Sequence, residues 1–322
     1  MSEISVLGAG AFGTALAIAF GQGGRSVTLW ARDEAAAAAM SASRRNAGRL
    51  PDAMIPETVA VTGDLTEALK PGIILLAMPM QSMRSFLAEN GAGLGGKALV
   101  ACSKGVDLST GLGPSGVIAA GAPGAIPAIL SGPSFAADIA RGLPTALTIA
   151  AGTEAEAVHL QHALSTQTLR LYSSADMTGV ELGGALKNVM AIACGIAIGA
   201  GLGESARAAL LTRGYAEMQR FAAAYGADPD TLSGLSGLGD LALTCTSEKS
   251  RNYSYGIALA RGEADPTKAT VEGIATARAV AGIAREKSIE MPVASVVSEL
   301  LAETITIEGA IDRLMSRPLK KE

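Results

Sequence analysis

The sequence predicts an α/β protein in two parts. An N-terminal doubly wound domain with a mostly parallel sheet is expected over residues 1–174, and an all-α domain over 175–322. Three observations carry this. Short apolar, strand-like segments alternate with helical ones up to residue 174. A glycine-rich turn stands directly between the first strand and the first helix. Beyond residue 174 the strand pattern stops and only helical periodicity continues. A chain of 322 residues is also longer than one core usually serves.

Taken in order, residues 4–7 form a short apolar strand, followed at once by Gly8-Ala9-Gly10-Ala11-Phe12-Gly13, a helix over 14–22 and a second strand over 26–30. Strand, G-x-G-x-x-G, helix, strand is the setting in which this pattern seats a dinucleotide. Gly8 permits the tight turn, Gly10 lets backbone approach a pyrophosphate, and Gly13 lets the helix pack on the strand. The helix start then attracts the phosphates. After Trp30, Arg32 is placed either to meet an adenosine 2′-phosphate, which favours NADP(H) over NAD(H), or to sit in the turn as an ordinary surface arginine. Asp33 is positioned to N-cap the helix that begins with Glu34 and an alanine run.

Further strands are expected over 59–61, 73–78, 98–102, 128–130, 146–150 and 169–172, with helices near 64–69, 82–89, 115–120 and 155–164. Strand ends in a doubly wound sheet line the ligand crevice. Three carry distinctive chemistry: Met78-Pro79-Met80-Gln81, Ser103-Lys104-Gly105, and Ser131-Gly132-Pro133-Ser134-Phe135-Ala136. Together they suggest an anion-binding crevice. In the second part, helices are expected over 176–201, 206–225, 250–261, 272–286, 293–302 and 307–314, with a polar, frayed tail over 317–322.

Composition bounds the function. Half of the chain is hydrophobic but only 3% is aromatic, so alanine and glycine must pack the core closely. A net charge of −4 argues against a general nucleic-acid binder, without excluding small anions. Cys102, Cys194 and Cys245 are scattered in apolar surroundings and read as reduced core thiols of a cytosolic protein. His159 and His162 lie on a glutamate-bearing, solvent-facing helix with no third ligand near them, so no metal site is expected. The N-terminus runs straight into a strand, so no signal peptide is expected.

The most telling stretch of the second part begins at Glu181. There Lys187 is the one ammonium on a helix face of Gly183, Gly184, Met190, Ala191 and Cys194. That face offers no carboxylate. Such a lysine either snorkels to water or lies at the floor of a cavity, where desolvation makes it a proton-transfer group near neutral pH. Glu181, Gly184 and Asn188 form a neighbouring stripe. A membrane span is the weaker reading, because Lys187 and Asn188 leave an apolar run shorter than the ~20 residues required. Farther on, Gly239-Asp240 places a carboxylate after a glycine run, where it would ordinarily N-cap a helix. Ser250-Arg251-Asn252 sets a guanidinium between a hydroxyl and an amide, a suitable phosphate clamp.

These motifs, with Val271-Glu272-Gly273, Arg45-Asn46 and Leu50-Pro51, appear in the order and spacing of the bacterial NAD(P)-dependent glycerol-3-phosphate dehydrogenases, which the chain resembles over almost its whole length. The resemblance implies a Rossmann domain followed by a helical domain. It also implies reversible reduction of dihydroxyacetone phosphate to sn-glycerol 3-phosphate for glycerophospholipid synthesis, in the cytoplasm, by an enzyme that in this family often forms homodimers. It makes Lys187 the proton acceptor, in contact with substrate, and the chemistry asks Asp240 to hydrogen-bond the lysine or a substrate hydroxyl and so fix orientation. Lys104, Gly132, Ser134, Asp240, Ser250, Arg251 and Asn252 would contact substrate, and Ala11, Phe12, Arg32, Lys104, Ala136, Arg251 and Glu272 the dinucleotide. The family often has Ser and Trp where Ala11 and Phe12 stand, and Ser where Met80 stands, so a hydroxyl contact to the cofactor is expected to be lost. Two rivals remain open at this stage: another hydroxy-acid or sugar-acid dehydrogenase, which needs a carboxylate-reading site in place of Ser250-Arg251-Asn252, and a non-catalytic dinucleotide-binding regulator, which needs neither Lys187 nor Asp240.

Overall fold

The computed structural model describes residues 3–263 and 272–315. Val271 and the 317–322 tail lie outside them. The chain divides into two compact units, Met1–Met177 and Thr178–Glu322.

The first unit is one eight-stranded sheet with helices. In chain order it comprises β1 (Ile4–Leu7), α1 (Ala11–Gln22), β2 (Val27–Trp30), α2 (Glu34–Ser43), β3 (Val59–Thr62), α3 (Leu65–Ala68), β4 (Ile73–Leu76) and α4 (Met80–Asn90). It continues with β5 (Ala98–Ala101), α5 (Pro114–Gly121), β6 (Ile126–Ser131), α6 (Ala136–Ala140), β7 (Thr145–Ala151), α7 (Glu154–Leu164) and β8 (Leu169–Ser174). The spatial order is β3-β2-β1-β4-β5-β6-β7-β8. The chain winds outward from β1 through β2 to β3, then crosses back to β4. The β1/β4 boundary is therefore the topological switch point, beside which such sheets bind ligands. There Leu7 is in register with both Trp30 and Leu76, so the ends of β1, β2 and β4 lie level.

β1 and β5 are buried on both faces, as in a sheet covered by helices on each side. β1 to β6 are mutually parallel. β7 runs antiparallel to β6, and β8 follows β7. The expected mostly parallel sheet is thus present, with one reversal. That reversal sends the C-terminal ends of β7 and β8 to the edge opposite the other six, so they do not join the loops at the switch point. β8, an edge strand, shows the period-2 pattern of a sheet with one wet face: Leu169 and Leu171 are buried while Arg170 and Tyr172 point outward.

Local signals behave as the residues dictate. Ala36 N–H donates to Asp33 Oδ1 at 3.0 Å, so Asp33 does N-cap α2. Thr153 and Glu156 form a reciprocal capping box at the start of α7. His159 and His162 on this helix are exposed.

The second unit is helical throughout its described residues. It comprises α8 (Met177–Gly199), α9 (Gly203–Ala223), α10 (Pro229–Ser233), a π-helical turn over Leu235–Gly239, α11 (Asp240–Cys245), α12 (Arg251–Ala260), α13 (Glu272–Glu286), α14 (Pro292–Leu301) and α15 (Ile307–Met315). α8 is long and apolar enough to cross a membrane, yet 83% of its most apolar window is buried inside the protein. It is the core helix of this unit, apolar all round because it is surrounded. Its small residues let neighbours approach at backbone distance. A Cβ on Gly195 would stand 2.1 Å from Tyr253 O, and one on Gly256 of α12 would stand 2.3 Å from Ile192 O. The alanine- and glycine-rich composition is used here, where α8 and α12 cross without intervening side chains. α10, the π-turn and α11 fall between the helices expected over 206–225 and 250–261, where Pro229, the glycine run and short element lengths break the long helical periodicity.

Candidate active site

The first group of predicted residues lies at the C-terminal edge of the parallel strands. Gly8, directly after β1, has φ +119°, and a Cβ there would meet Ala77 O at 2.5 Å. A Cβ on Gly13 would meet Gly8 O at 2.1 Å. These two glycines serve the protein's own packing. A Cβ on Gly10, by contrast, would meet no atom within 4 Å. Gly10 is also the N-cap of α1, with no side-chain cap and no acidic residue in the first turn. The first-turn amides of a helix lack intrahelical acceptors, so open space over Gly10 together with uncapped amides fits the pyrophosphate of a nicotinamide dinucleotide. Ala11 and Phe12 open α1 and are half-buried. Arg32 follows β2 and is exposed, two residues beyond Trp30, whose indole N–H donates to Gly63 O at 3.0 Å.

Beyond the switch point, parallel pairing of β5 with β6 brings Lys104 and the 131–136 turn together. Lys104 Nζ donates to Gly132 O at 3.4 Å, and Ser134 Oγ donates to the same carbonyl at 3.4 Å. Gly105 (φ +113°) and Gly132 (φ +143°) occupy backbone conformations that side chains rarely adopt. Three of the predicted substrate residues, Lys104, Gly132 and Ser134, therefore converge on one carbonyl, and Ala136 follows as the first residue of α6. Met80 is buried at the start of α4, with Sδ 3.9 Å from Ser103 Oγ, so this departure from the family pattern is a packing residue under the Lys104 loop.

The second group lies within the helical unit. Lys187 is 8% exposed. Its Nζ donates to Asp240 Oδ1 at 2.8 Å and to Thr244 Oγ1 at 2.7 Å, and Thr244 Oγ1 donates to Asp240 Oδ1 at 3.3 Å. Asp240 and Thr244 are both buried. The α8 face carries no carboxylate of its own; α11 supplies one, as expected of an Asp240 that hydrogen-bonds the lysine. Of the roles open to Asp240 the local N-cap is not taken: it is the first residue of α11, Gly239 holds the capping position without a side-chain cap, and the carboxylate turns to Lys187. The π-turn makes this possible. Gly183, one turn before Lys187, packs so closely on it that a Cβ would meet Ser236 O at 2.6 Å. π-turns often mark functional sites, and here one ends where Asp240 begins. Thr244 escaped the sequence reading. Its signal was the i,i+4 spacing from Asp240, which puts both side chains on one helix face.

Asn188, the next residue on α8, accepts from Asn252 Nδ2 at 3.0 Å, and Asn252 Oδ1 accepts from Gly273 N–H at 3.0 Å. Asn252 thus ties α8, α12 and the start of α13 together, with Glu272 as the first residue of α13. Ser250 N-caps α12 through Tyr253 N–H at 3.3 Å, and Arg251 stands exposed as its first residue. The α12 start combines a guanidinium, a neutral cap and no acidic first-turn residue, which suits an anion.

The cysteines lie close to these groups but are held inert by burial. All three are free and buried. Burial pushes the Cys102 thiol up to about 12 despite the nearby Lys104 charge, and burial with a hydrogen bond to Cys194 pushes Cys245 well above its ordinary value. Neither is a nucleophile near neutral pH.

Comparison with known proteins agrees with this arrangement. Residues 3–157 match the family described as NAD-dependent glycerol-3-phosphate dehydrogenase N-terminus, and residues 176–312 match its C-terminus. The chain is 56% identical over 320 residues to glycerol-3-phosphate dehydrogenase (NAD(P)+) of Ruegeria sp. (strain TM1040), covering 99% of this chain and 100% of that one. It is 57% identical over 319 residues to the Cereibacter sphaeroides enzyme of the same name, again covering 99% and 100%. Among solved structures, glycerol-3-phosphate dehydrogenase of Coxiella burnetii superposes with a TM-score of 0.92 at 35% identity, covering 98% of this chain and 99% of that one. With its glycine cradle, its buried lysine cluster and these full-length likenesses, the chain belongs to the NAD-dependent glycerol-3-phosphate dehydrogenase family of oxidoreductases.

Proposed function

We propose that this protein catalyses the reversible, NAD(P)H-dependent reduction of dihydroxyacetone phosphate to sn-glycerol 3-phosphate, the backbone of glycerophospholipids. The observation that carries the chemistry is the buried Lys187–Asp240–Thr244 cluster. A bound nicotinamide dinucleotide supplies the two-electron reduction of the carbonyl. The chain's own residues must then receive negative charge on the carbonyl oxygen and give it a proton. Protonated Lys187 is the donor: its ammonium stabilises the developing alkoxide and passes one proton to it. Asp240 pairs with the ammonium and fixes Nζ, and Thr244 fixes it from a second direction. In the oxidation direction Lys187, neutral, accepts the hydroxyl proton. Arg251, at the start of α12, binds the substrate phosphate, giving binding energy remote from the reacting carbon. Lys104, Gly132 and Ser134 add substrate contacts, and Ser250 and Asn252 hold the Arg251 segment in place. The first unit is then the dinucleotide-binding domain and the second the catalytic and substrate domain. Gly10, Ala11 and Phe12 seat the pyrophosphate on a turn that Gly8 and Gly13 shape by close packing, Arg32 reads the 2′-phosphate of NADPH, and Ala136 and Glu272 add dinucleotide contacts. The three buried free thiols support a reducing, cytosolic location, and the reading includes a homodimer, which light scattering on purified protein checks.

The deciding experiment follows nicotinamide absorbance with NADPH and dihydroxyacetone phosphate. The expected outcome is NADPH oxidation that requires the phosphorylated ketone. Oxidation with a 2-keto acid but not with dihydroxyacetone phosphate would replace this reading with that of a hydroxy-acid dehydrogenase, and no oxidation with either would make the protein a non-catalytic binder.

A further inference from the structure

Asn46 lies in the loop between α2 and β3, far in sequence from the glycine turn. Its side chain is 6% exposed. The amide nitrogen Nδ2 donates to Ala9 O at 2.9 Å and to Thr14 Oγ1 at 2.8 Å. Both of its hydrogens are thereby used, one on the glycine turn and one on the first turns of α1. The backbone of Asn46 is fixed as well, since its carbonyl accepts from Leu50 N–H at 2.8 Å and from Arg49 N–H at 3.2 Å. The base of the loop is closed by Arg44, a non-glycine residue at φ +53°. Its guanidinium donates to the carbonyls of Ile55, Pro56 and Val59, while Ile55 N–H donates to Arg44 O at 2.8 Å. The loop thus holds Asn46 as a rigid arm against the turn.

Ala9 C=O and Gly10 N–H belong to one planar, trans peptide, so they point in opposite directions and turn together. The peptide flips by compensating changes in ψ of Ala9 and φ of Gly10, and on the Gly10 side no Cβ opposes the change. A flip would exchange the Gly10 N–H for the Ala9 oxygen on the side open to an anion, replacing a donor with an acceptor. We propose that Asn46 is a positioning residue for dinucleotide binding: by holding Ala9 O it fixes the orientation of the Ala9–Gly10 peptide and so keeps the Gly10 amide available to the pyrophosphate. The inference rests on the reading of the glycine turn as the dinucleotide seat. Because the pyrophosphate is common to both cofactors, the effect must be blind to the 2′-phosphate.

The test measures NADPH and NADH dissociation constants by fluorescence titration for the native protein, Asn46→Ala and Thr14→Val, with melting temperatures alongside. Asn46→Ala is expected to weaken NADPH and NADH equally, by about ten-fold, the scale of one lost hydrogen bond. Thr14→Val, which removes only the second anchor, is expected to weaken both by about three-fold. In steady state the dinucleotide KM should rise while kcat at saturation changes far less. A merely structural Asn46 would lower the melting temperature and leave both dissociation constants in place, which overturns the inference. So does a loss confined to NADPH. If Asn46→Ala does not fold, Thr14→Val decides by the same equal rise or its absence. Failure of the native protein to bind either dinucleotide would overturn the seat itself and this inference with it; native binding with unchanged variants overturns the inference alone.

Discussion

Among its described residues the helical unit buries two carboxylates, Glu217 and Asp240, and they are used in opposite ways. Glu217 of α9 is 0% exposed and accepts from Val293 N–H at 2.7 Å and Ala294 N–H at 3.2 Å, so it caps α14 from another helix. Those amides sit behind Pro292 and have no intrahelical acceptor. Asp240 is 1% exposed and takes an ammonium and a hydroxyl. Backbone amides never change charge, so Glu217 sits in a finished structural contact. Lys187 exchanges a proton in the proposed reaction, so Asp240 faces a partner whose charge changes with each turnover. Burial alone therefore does not mark function; the chemistry of the partner does.

The largest effect that would break this comparison is at Lys187. Lys187→Met is expected to lower turnover by roughly 10²-fold or more while leaving dinucleotide affinity nearly intact, as loss of a general acid does. It also strands Asp240, at a stability cost of about 3–5 kcal/mol. Adding Asp240→Asn should recover much of that stability in denaturant titration and none of the turnover. Near-native turnover in the single variant would remove Lys187 from the mechanism.

At Glu217 the pattern should invert. Glu217→Gln keeps one acceptor but turns an amide donor toward a backbone N–H, and is expected to cost about 1–3 kcal/mol of stability with kcat unchanged. A fall in kcat comparable to that of Lys187→Met would erase the distinction.

The contrast extends to helix starts. The α14 start receives its negative charge from Glu217, whereas α12 is capped by neutral Ser250 and opens with Arg251. Arg251→Lys keeps charge and loses the planar fork, so apparent affinity for dihydroxyacetone phosphate should fall by about ten-fold, with turnover following. Unphosphorylated dihydroxyacetone should be nearly indifferent. Because Arg251 is also assigned a dinucleotide contact, NADPH affinity is measured in parallel, and equal harm to both ketones after that correction would deny it the phosphate. The smallest effect is expected at exposed Arg32: Arg32→Ala should weaken NADPH at the low end of about 1–3 kcal/mol and NADH much less. Equal losses would make it a turn residue.

Sequence alone determined the order of the strands and of the longer helices, because periodicity and glycine placement are local; α10 and α11, of five and six residues, are too short to show a period. It separated the glycine cradle from the helical part and singled out Lys187, since a lone ammonium among small apolar residues is visible without coordinates. Element ends shifted by a few residues, as at α1, which opens at Ala11 because Gly10 alone lacks helical backbone angles. What only the tertiary structure decided were the partners. Asp240 carried two readings, a local N-cap and a partner for Lys187 or a substrate hydroxyl, and the packing of the π-turn on α8 at Gly183 and Ser236 brought it to the lysine. Asn46, Thr244 and Glu217 gave no pattern that pointed to Ala9, Lys187 or Val293. Their hydrogen bonds join residues 37, 57 and 76 positions apart. A sequence reports what a residue can donate or accept; which group lies 3 Å away is fixed by how helices and strands pack.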